Sequence, residues 1–276
     1  MTVRGPLEAT MFGRALPHEH VMCDFIGANE TGAHRYDRDE VVRSMTPYLR
    51  ALKEREWSGL VDCTPSFLGR DPLVLRALSQ QMDLHIITNT GLYGAGKDRF
   101  LPEWAHQASA KELARQWIQE ATIGIDETGI RPGFIKIGVD RGPLSRVDRT
   151  LVEAAVLAWR ETGLTVACHT ETDVDARQVA DVALRAGLDP ASLTIVHADN
   201  SDDVGFHSSL AELGVWVEFD SVGYQPVEAH GSLIIPFLDA GHIDRLLVSH
   251  DAGWYWVGEV RGGIPERIQP YTVVHD

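Results

Sequence analysis

Two histidines, His18 and His20, stand at the end of an apolar stretch in Pro17-His-Glu-His20. Side chains of an extended segment alternate faces, so His18 and His20 point the same way while Glu19 points oppositely. Two imidazoles on one face can share one metal ion. Four further candidates close or lie within later apolar runs: Lys136 in Phe134-Ile-Lys-Ile-Gly138, then His169, then His197 in Val196-His-Ala-Asp199, and Asp251 in Ser249-His-Asp251. His169 follows Lys136 by 33 residues and His197 follows His169 by 28. Each gap is about one strand-plus-helix unit of roughly 30 residues. Asp251, 54 residues after His197, is about two units on. Four imidazoles, a carboxylate and a lysine inside a folded protein each need a partner, and a metal centre provides one. Lysine is the odd member, because an ammonium repels dications and offers no lone pair. Carboxylation by carbon dioxide would turn Lys136 into an anionic carbamate with two oxygens, able to bridge two ions. As an amine of lowered pKa it would instead form a Schiff base. The histidines favour the carbamate, since Schiff-base chemistry has no use for four imidazoles at neighbouring strand ends.

Positioning such a set requires a scaffold that brings successive strand ends together. Eight short apolar runs read as strands, at Ala15–Cys23, Gly59–Cys63, Leu84–Thr90, Gly133–Val139, Leu164–His169, Leu193–His197, Val215–Phe219 and Arg245–His250. Between them the apolar spacing predicts helices near Arg38–Trp57, Pro72–Gln81, Ala110–Glu127, Arg149–Thr162, Val174–Ala186, Asp202–Leu213 and Ser232–Ala240. Eight strands alternating with helices predict an α/β fold, the (β/α)8 TIM barrel, whose active site lies at the C-terminal strand ends. Only 25 residues follow Asp251, so the barrel is expected to lack most of its final helix, with Ile268–Asp276 as its start. No repeat, low-complexity tract or Pro/Ser-rich linker marks a boundary, and residues 1–276 are read as a single barrel domain.

Composition narrows the function classes. Hydrophobic residues make up 44% and charged residues 24%, the profile of a folded protein rather than a disordered one. The 25 basic against 40 acidic residues give a formal charge of −15, which works against binding nucleic acid or an anionic membrane and suits a neutral small-molecule substrate or cations. Cys23, Cys63 and Cys168 are too few and too far apart for a disulfide framework. With no apolar leader and no run of apolar residues long enough to span a bilayer, the expected location is the cytoplasm.

Taken in order, Pro-His-Glu-His, Phe-Ile-Lys-Ile-Gly, His169, Val-His-Ala-Asp and Ser-His-Asp resemble the stations of the phosphotriesterase-related family of the amidohydrolase superfamily, from about Arg14 onward. The resemblance implies a dinuclear hydrolase barrel. His18, His20 and Asp251 would hold the inner ion, His169 and His197 the outer one, and carboxylated Lys136 both. Zinc suits imidazole and carboxylate ligands, although iron, cobalt and manganese accept the same donors. A hydroxide bridging the two ions would attack the substrate, and Asp251 would receive its proton. The family's substrates include lactones, carboxylic esters and phosphotriesters. A lactone or ester is the first reading, being an ordinary metabolite; an organophosphate triester is the alternative, and a metal-binding barrel without catalytic activity a further one. The resemblance also implies a homodimer. The chain departs from the family where Asn200 replaces an acid and Ser221 replaces a basic residue after Asp220, which puts a proton relay there in doubt. Asp199 could stand in for Asn200 only if that stretch is not extended.

Substrate contacts are expected from Tyr93, which resembles a substrate-contacting tyrosine of the family's lactonases, and from Trp254, Tyr255 and Trp256 as an apolar pocket wall. Phe25 and Phe67 are weaker candidates of that kind, and Arg99 and Arg141 could receive an anionic group. Gly91-Leu-Tyr-Gly-Ala-Gly-Lys97 resembles a phosphate-cradling loop but continues with Asp98, where Ser or Thr is needed, and reads as an ordinary loop. His250 is expected to face away from its neighbours as a satisfied core residue, and Cys168 to pack rather than react. The remaining histidines read as structural or solvated.

Overall fold

Apolar runs such as Phe134-Ile-Lys-Ile-Gly138 are buried at every position, as the strands of a parallel sheet covered by helices outside and packed within must be. The computed structural model describes residues 1–224, 226–265 and 269–272. Its strands are β1 (Ala15–Cys23), β2 (Gly59–Asp62), β3 (His85–Ile87), β4 (Asn89–Thr90), β5 (Phe134–Gly138), β6 (Val166–His169), β7 (Leu193–Val196), β8 (Trp216–Phe219), β9 (Leu246–Val248) and β10 (Ala252–Trp256). The helices are α1 (Arg38–Glu54), α2 (Pro72–Met82), α3 (Ala110–Thr122), α4 (Arg146–Thr162), α5 (Asp173–Arg185), α6 (Val204–Glu212) and α7 (Val227–Asp239). Hydrogen-bonded neighbours run β10-β1-β2-β3 and β4-β5-β6-β7-β8-β9, every pair parallel.

These ten strands fill the eight positions of a TIM barrel. The predicted third strand is interrupted at Thr88 into β3 and β4, and the eighth continues past Asp251 as β10. Backbone bonds carry the ladder across both breaks: Gly133 N donates to Thr88 O at 2.8 Å, and Asp251 N to His18 O at 3.2 Å. β10 then pairs with β1, Glu19 opposite Ala252, and closes the circle.

Local chemistry explains the helix starts. Capping boxes open α3 (Ser109/Glu112), α4 (Ser145/Asp148) and α5 (Thr172/Asp175), each satisfying two otherwise unpaired backbone donors. The box at Ser145 starts α4 at Arg146 rather than at the predicted Arg149. α3 stops at Thr122 instead of running to Glu127, since Gly124 has φ 127°. α7 begins five residues before the predicted Ser232. Two apolar clusters form the core, one around β5–β8 with α3–α6 and one around β1–β3 with α1, α2 and β10. No helix among the described residues is long and apolar enough to cross a membrane.

The start expected for a final helix is corrected. Ile268 and residues 273–276 lie outside the described residues, and Gln269–Thr272 are not helical. Gln269 pairs antiparallel with Gly253, and buried Tyr271 donates from its hydroxyl to His20 O at 2.7 Å. The tail therefore braces the strand that carries the histidine pair.

Gly91 shows how tightly the third position approaches its neighbour. Its φ is 119°, and a Cβ there would collide with the backbone carbonyl of Lys136. Gly91→Ala is expected to cost about 1–3 kcal/mol or more through strain and overpacking, read as a thermal midpoint several degrees lower.

Candidate metal centre

The alternation expected of β1 holds. His18 and His20 are both buried with ring centroids 5.4 Å apart. Asp251 meets them from the kink between β9 and β10, where its backbone is left-handed at φ 52°. Its Oδ1 lies 2.9 Å from His20 Nε2 and 3.6 Å from His18 Nε2, so three donor atoms converge on one point.

The far nitrogens of these rings are held by groups that the sequence reading did not place in the site. Thr64 Oγ1 lies 2.8 Å from His20 Nδ1. Asp220 serves two imidazoles at once, Oδ2 3.0 Å from His18 Nδ1 and Oδ1 2.6 Å from His197 Nδ1. An acceptor at each Nδ1 leaves Nε2 of those rings to offer its lone pair once the ring is neutral. Glu218, two residues earlier on β8, brings Oε2 to 3.4 Å from His18 Nδ1. The i, i+2 logic that singles out His18 and His20 applies equally to Glu218 and Asp220 in Trp216-Val-Glu-Phe-Asp220, and would have found them.

His197 links the two halves of the cluster, its ring 5.1 Å from that of His18 and 4.5 Å from that of His169. His169 ends β6 beside Tyr93, whose hydroxyl is 3.1 Å from Nε2 and 3.2 Å from Nδ1. Lys136 is 2% exposed, and its Nζ has no hydrogen-bond partner. An ammonium in that position is costly; conversion to a carbamate, or a partner of opposite charge, removes the cost. His169, His197 and Asp251 stand at or just past strand ends, whereas His18 and His20 lie within β1 and Lys136 in the middle of β5. The compact groups are His18-His20-Asp251 and, additionally, His18-His197-Asp220.

Burial sets most of the protonation states. It pushes His20 down to about 4, helped by His18 and Lys136 and only partly offset by Asp251. His169 falls well below the usual histidine range through burial, His197 and Lys136. Burial opposes ionisation of Asp251 and Asp220, but the adjacent histidines outweigh it and hold both below the usual carboxylate range. His18 behaves differently: burial and Lys136 oppose its charge, yet Cys63, Asp220 and Glu218 together raise it well above the usual value.

Glu19, on the opposite face of β1, ties this arrangement together. Its buried carboxylate accepts from Ser249 Oγ at 2.8 Å, His250 N at 3.1 Å and Ala252 N at 2.7 Å, with His250 Nδ1 at 3.0 Å. Ser249 Oγ in turn accepts from His18 N at 3.0 Å. The residue between the two histidines thereby grips both flanks of Asp251, and His250 is the satisfied core residue that was expected.

Beside His169 opens a cavity of about 430 Å³ lined by Phe25, Tyr93, Phe100, Arg141, Glu171 and Asn200. Trp254 packs on His20, ring centroids 4.2 Å apart, and stacks on Phe25 at 5.5 Å, while Trp256 lies 4.8 Å from Phe25. Tyr255 is the correction to the expected aromatic wall. Between Trp254 and Trp256 on β10 it takes the other face, is buried in the core beside α1 and donates to Glu40 Oε1 at 3.0 Å. Arg99 lies over the Phe100 ring rather than in the cavity lining. Lys97 N donates to Asp140 Oδ1 at 2.9 Å and no α-helix follows directly, so Gly91–Lys97 is the ordinary loop expected. Asp199 follows His197 into a 3-10 turn instead of an extended stretch, turns back, and accepts from Ser221 N at 2.9 Å and Ser221 Oγ at 2.6 Å.

The sequence profile of the phosphotriesterase family matches residues 1–273. The chain belongs to the phosphotriesterase family. It is 28% identical over 287 residues to the phosphotriesterase homology protein of Mycobacterium tuberculosis, spanning 99% of this chain and 85% of that one. With the aryldialkylphosphatase of Saccharolobus solfataricus it shares 23% identity, over 89% of this chain and 78% of the relative. A solved structure of a mutant PTE-like lactonase from Deinococcus radiodurans superposes with a TM-score of 0.87 at 31% identity, covering 98% of this chain and 87% of the other. This family member is a metal-dependent hydrolase acting on esters, which sets aside the reading of an inert metal-binding barrel.

Two outcomes follow from this geometry. Folded His20, at about 4, is lowered from its unfolded value of about 6.5, so its contribution to the stability of metal-free protein is present above pH ~6.5 and lost as pH falls toward ~4. A ¹⁵N titration of metal-free protein is expected to place the His20 midpoint near that lower value. Glu19→Gln replaces one acceptor oxygen by an amide facing donors. Stability is expected to fall by about 1–3 kcal/mol and bound metal per chain to drop, read by thermal denaturation and elemental analysis.

Proposed function

We propose that this hydrolase holds two divalent ions, zinc by its donor set, and cleaves a lactone or a carboxylic ester. The observation that carries the reading is Lys136, buried among imidazoles with no partner for Nζ. His18, His20 and Asp251 would hold one ion, His169 and His197 the other, and Lys136 carboxylated on Nζ would serve both. Bound ions would lower the pKa of a water molecule and polarise the ester carbonyl.

The chain's own groups supply the rest. Asp251, held ionised by His20 and His18 against the effect of burial, accepts the proton that the attacking water releases. Tyr93 stays protonated, since burial and then Asp251 and Glu171 raise its pKa well above the usual tyrosine range, and it offers a hydroxyl donor beside His169. Phe25 and Phe100 line the cavity and Trp254 and Trp256 pack against Phe25, an apolar side that would cover a substrate and exclude water. Arg141 pairs with Glu171 at 3.6 Å, which leaves the mouth nearly neutral and suited to an uncharged ester. The likeness to a lactonase supports this substrate class. The likeness to an aryldialkylphosphatase favours the second reading, hydrolysis of organophosphate triesters.

Purified protein supplied with zinc or cobalt and bicarbonate is expected to turn over lactones or aryl carboxylic esters with kcat/KM at least about tenfold above that for any triester. Lys136→Ala is expected to lower it by about a thousandfold or more. ¹³C-bicarbonate should add a carbamate resonance that the variant lacks. A triester preference would install the second reading, and an unmodified Lys136 in active enzyme would remove the carbamate.

A further inference from the structure

The N-terminal end of the barrel, opposite the strand ends that carry the metal-ligating set, holds a cavity of about 390 Å³. It lies between the first residues of the chain, α2 and the loop that precedes β5. Its wall carries three guanidinium groups, Arg4, Arg76 and Arg131, with Gln80 and Thr128, and no carboxylate side chain. In a chain of 40 acidic and 25 basic residues this is a local reversal of sign. Arg4 is engaged by Asp83 at 3.0 Å. Arg76 and Arg131 pair with no carboxylate among the described residues, and Arg131 meets only Met1 Sδ at 4.0 Å. The walls are already held in place. Val3 N donates to Ile86 O on β3 at 2.9 Å, Thr2 and Gly5 exchange two backbone bonds, and Ile125 N donates to Ile130 O at 2.8 Å across the loop before β5.

We infer that this cavity is a second binding site, for a small multiply charged oxyanion bearing phosphate or carboxylate groups. Two unpaired guanidinium forks match the oxygens of either group in a bidentate fashion, which a single ammonium cannot do. The overall negative charge does not prevent it, because at physiological salt fields are screened beyond about 8 Å and the contact charges decide. The cavity falls within the about 300–1,000 Å³ of small-molecule sites. A ligand there would bridge the N-terminal segment, α2 and the loop before β5, and so stabilise the native barrel by mass action.

The test uses the metal-loaded protein, titrated calorimetrically at low ionic strength with inorganic phosphate and, separately, with succinate. Saturable binding of one anion per chain is expected, weakening with salt, together with a thermal midpoint that rises with ligand. Phosphate binding alone or succinate binding alone identifies which group the forks select. Arg76→Gln/Arg131→Gln is expected to weaken binding at least about tenfold while metal content and ester hydrolysis stay unchanged; either single variant serves if the double one does not fold. Affinity that survives these substitutions would put the anion elsewhere, the metal centre included, and overturn the proposal. So would the absence of saturable binding up to about 10 mM.

Discussion

A fully buried carboxylate, Asp220, stands between two imidazoles with one oxygen for each, and the orientation of the centre depends on it. Removing an ion of this kind from water is tolerable only when its lone pairs are occupied, and His18 and His197 occupy them. The same contacts aim the opposite nitrogens of both rings away from Asp220. Around this pair the other polar groups fall into place: Thr64 behind His20, Asp251 in front of it, Tyr93 against His169. Lys136 is buried, and its Nζ has no hydrogen-bond partner. A buried lysine with no partner needs something to carry or to meet.

Asp251 reaches the centre through strained backbone. Its left-handed conformation at the break between β9 and β10 is one that most side-chain-bearing residues disfavour and that aspartate tolerates better than most. Glu19 imposes it by binding Ser249, His250 and Ala252, and Asp251 N itself donates to His18 O. The alternation of β1 thus has two uses, one face presenting His18 and His20 and the other holding the turn that delivers the third ligand candidate. Tyr271 and Gln269 clamp the outside of the same strand pair, so the tail contributes to the site without entering it.

Much of this was legible beforehand because it rests on periodicity. The spacing of Lys136, His169 and His197 matches the length of a strand-plus-helix unit, whereas apolar spacing alone puts the start of α4 three residues late, past the capping box at Ser145. Less legible were residues whose role comes from partners far along the chain. The i, i+2 spacing of Glu218 and Asp220 stands in the sequence, but that Asp220 meets His18, 202 residues away, appears only in the fold. Glu19 reads as a residue facing away from the metal until the Ser249–Ala252 segment is packed on it. Tyr255 shares its neighbourhood in the chain with two tryptophans that pack on Phe25, yet strand alternation sends it to Glu40 and the core. Asp199 depended on a turn that its local sequence does not announce.

The strand-helix rhythm, the shared face of His18 and His20, and a set of side chains whose chemistry suits metal-assisted hydrolysis all follow from spacing and residue type. The closed barrel adds which nitrogen of each imidazole faces inward, how Asp251 is held, and where arginines gather at the opposite end. Those depend on contacts between segments that only the closed barrel brings within hydrogen-bonding distance, and no local pattern encodes them.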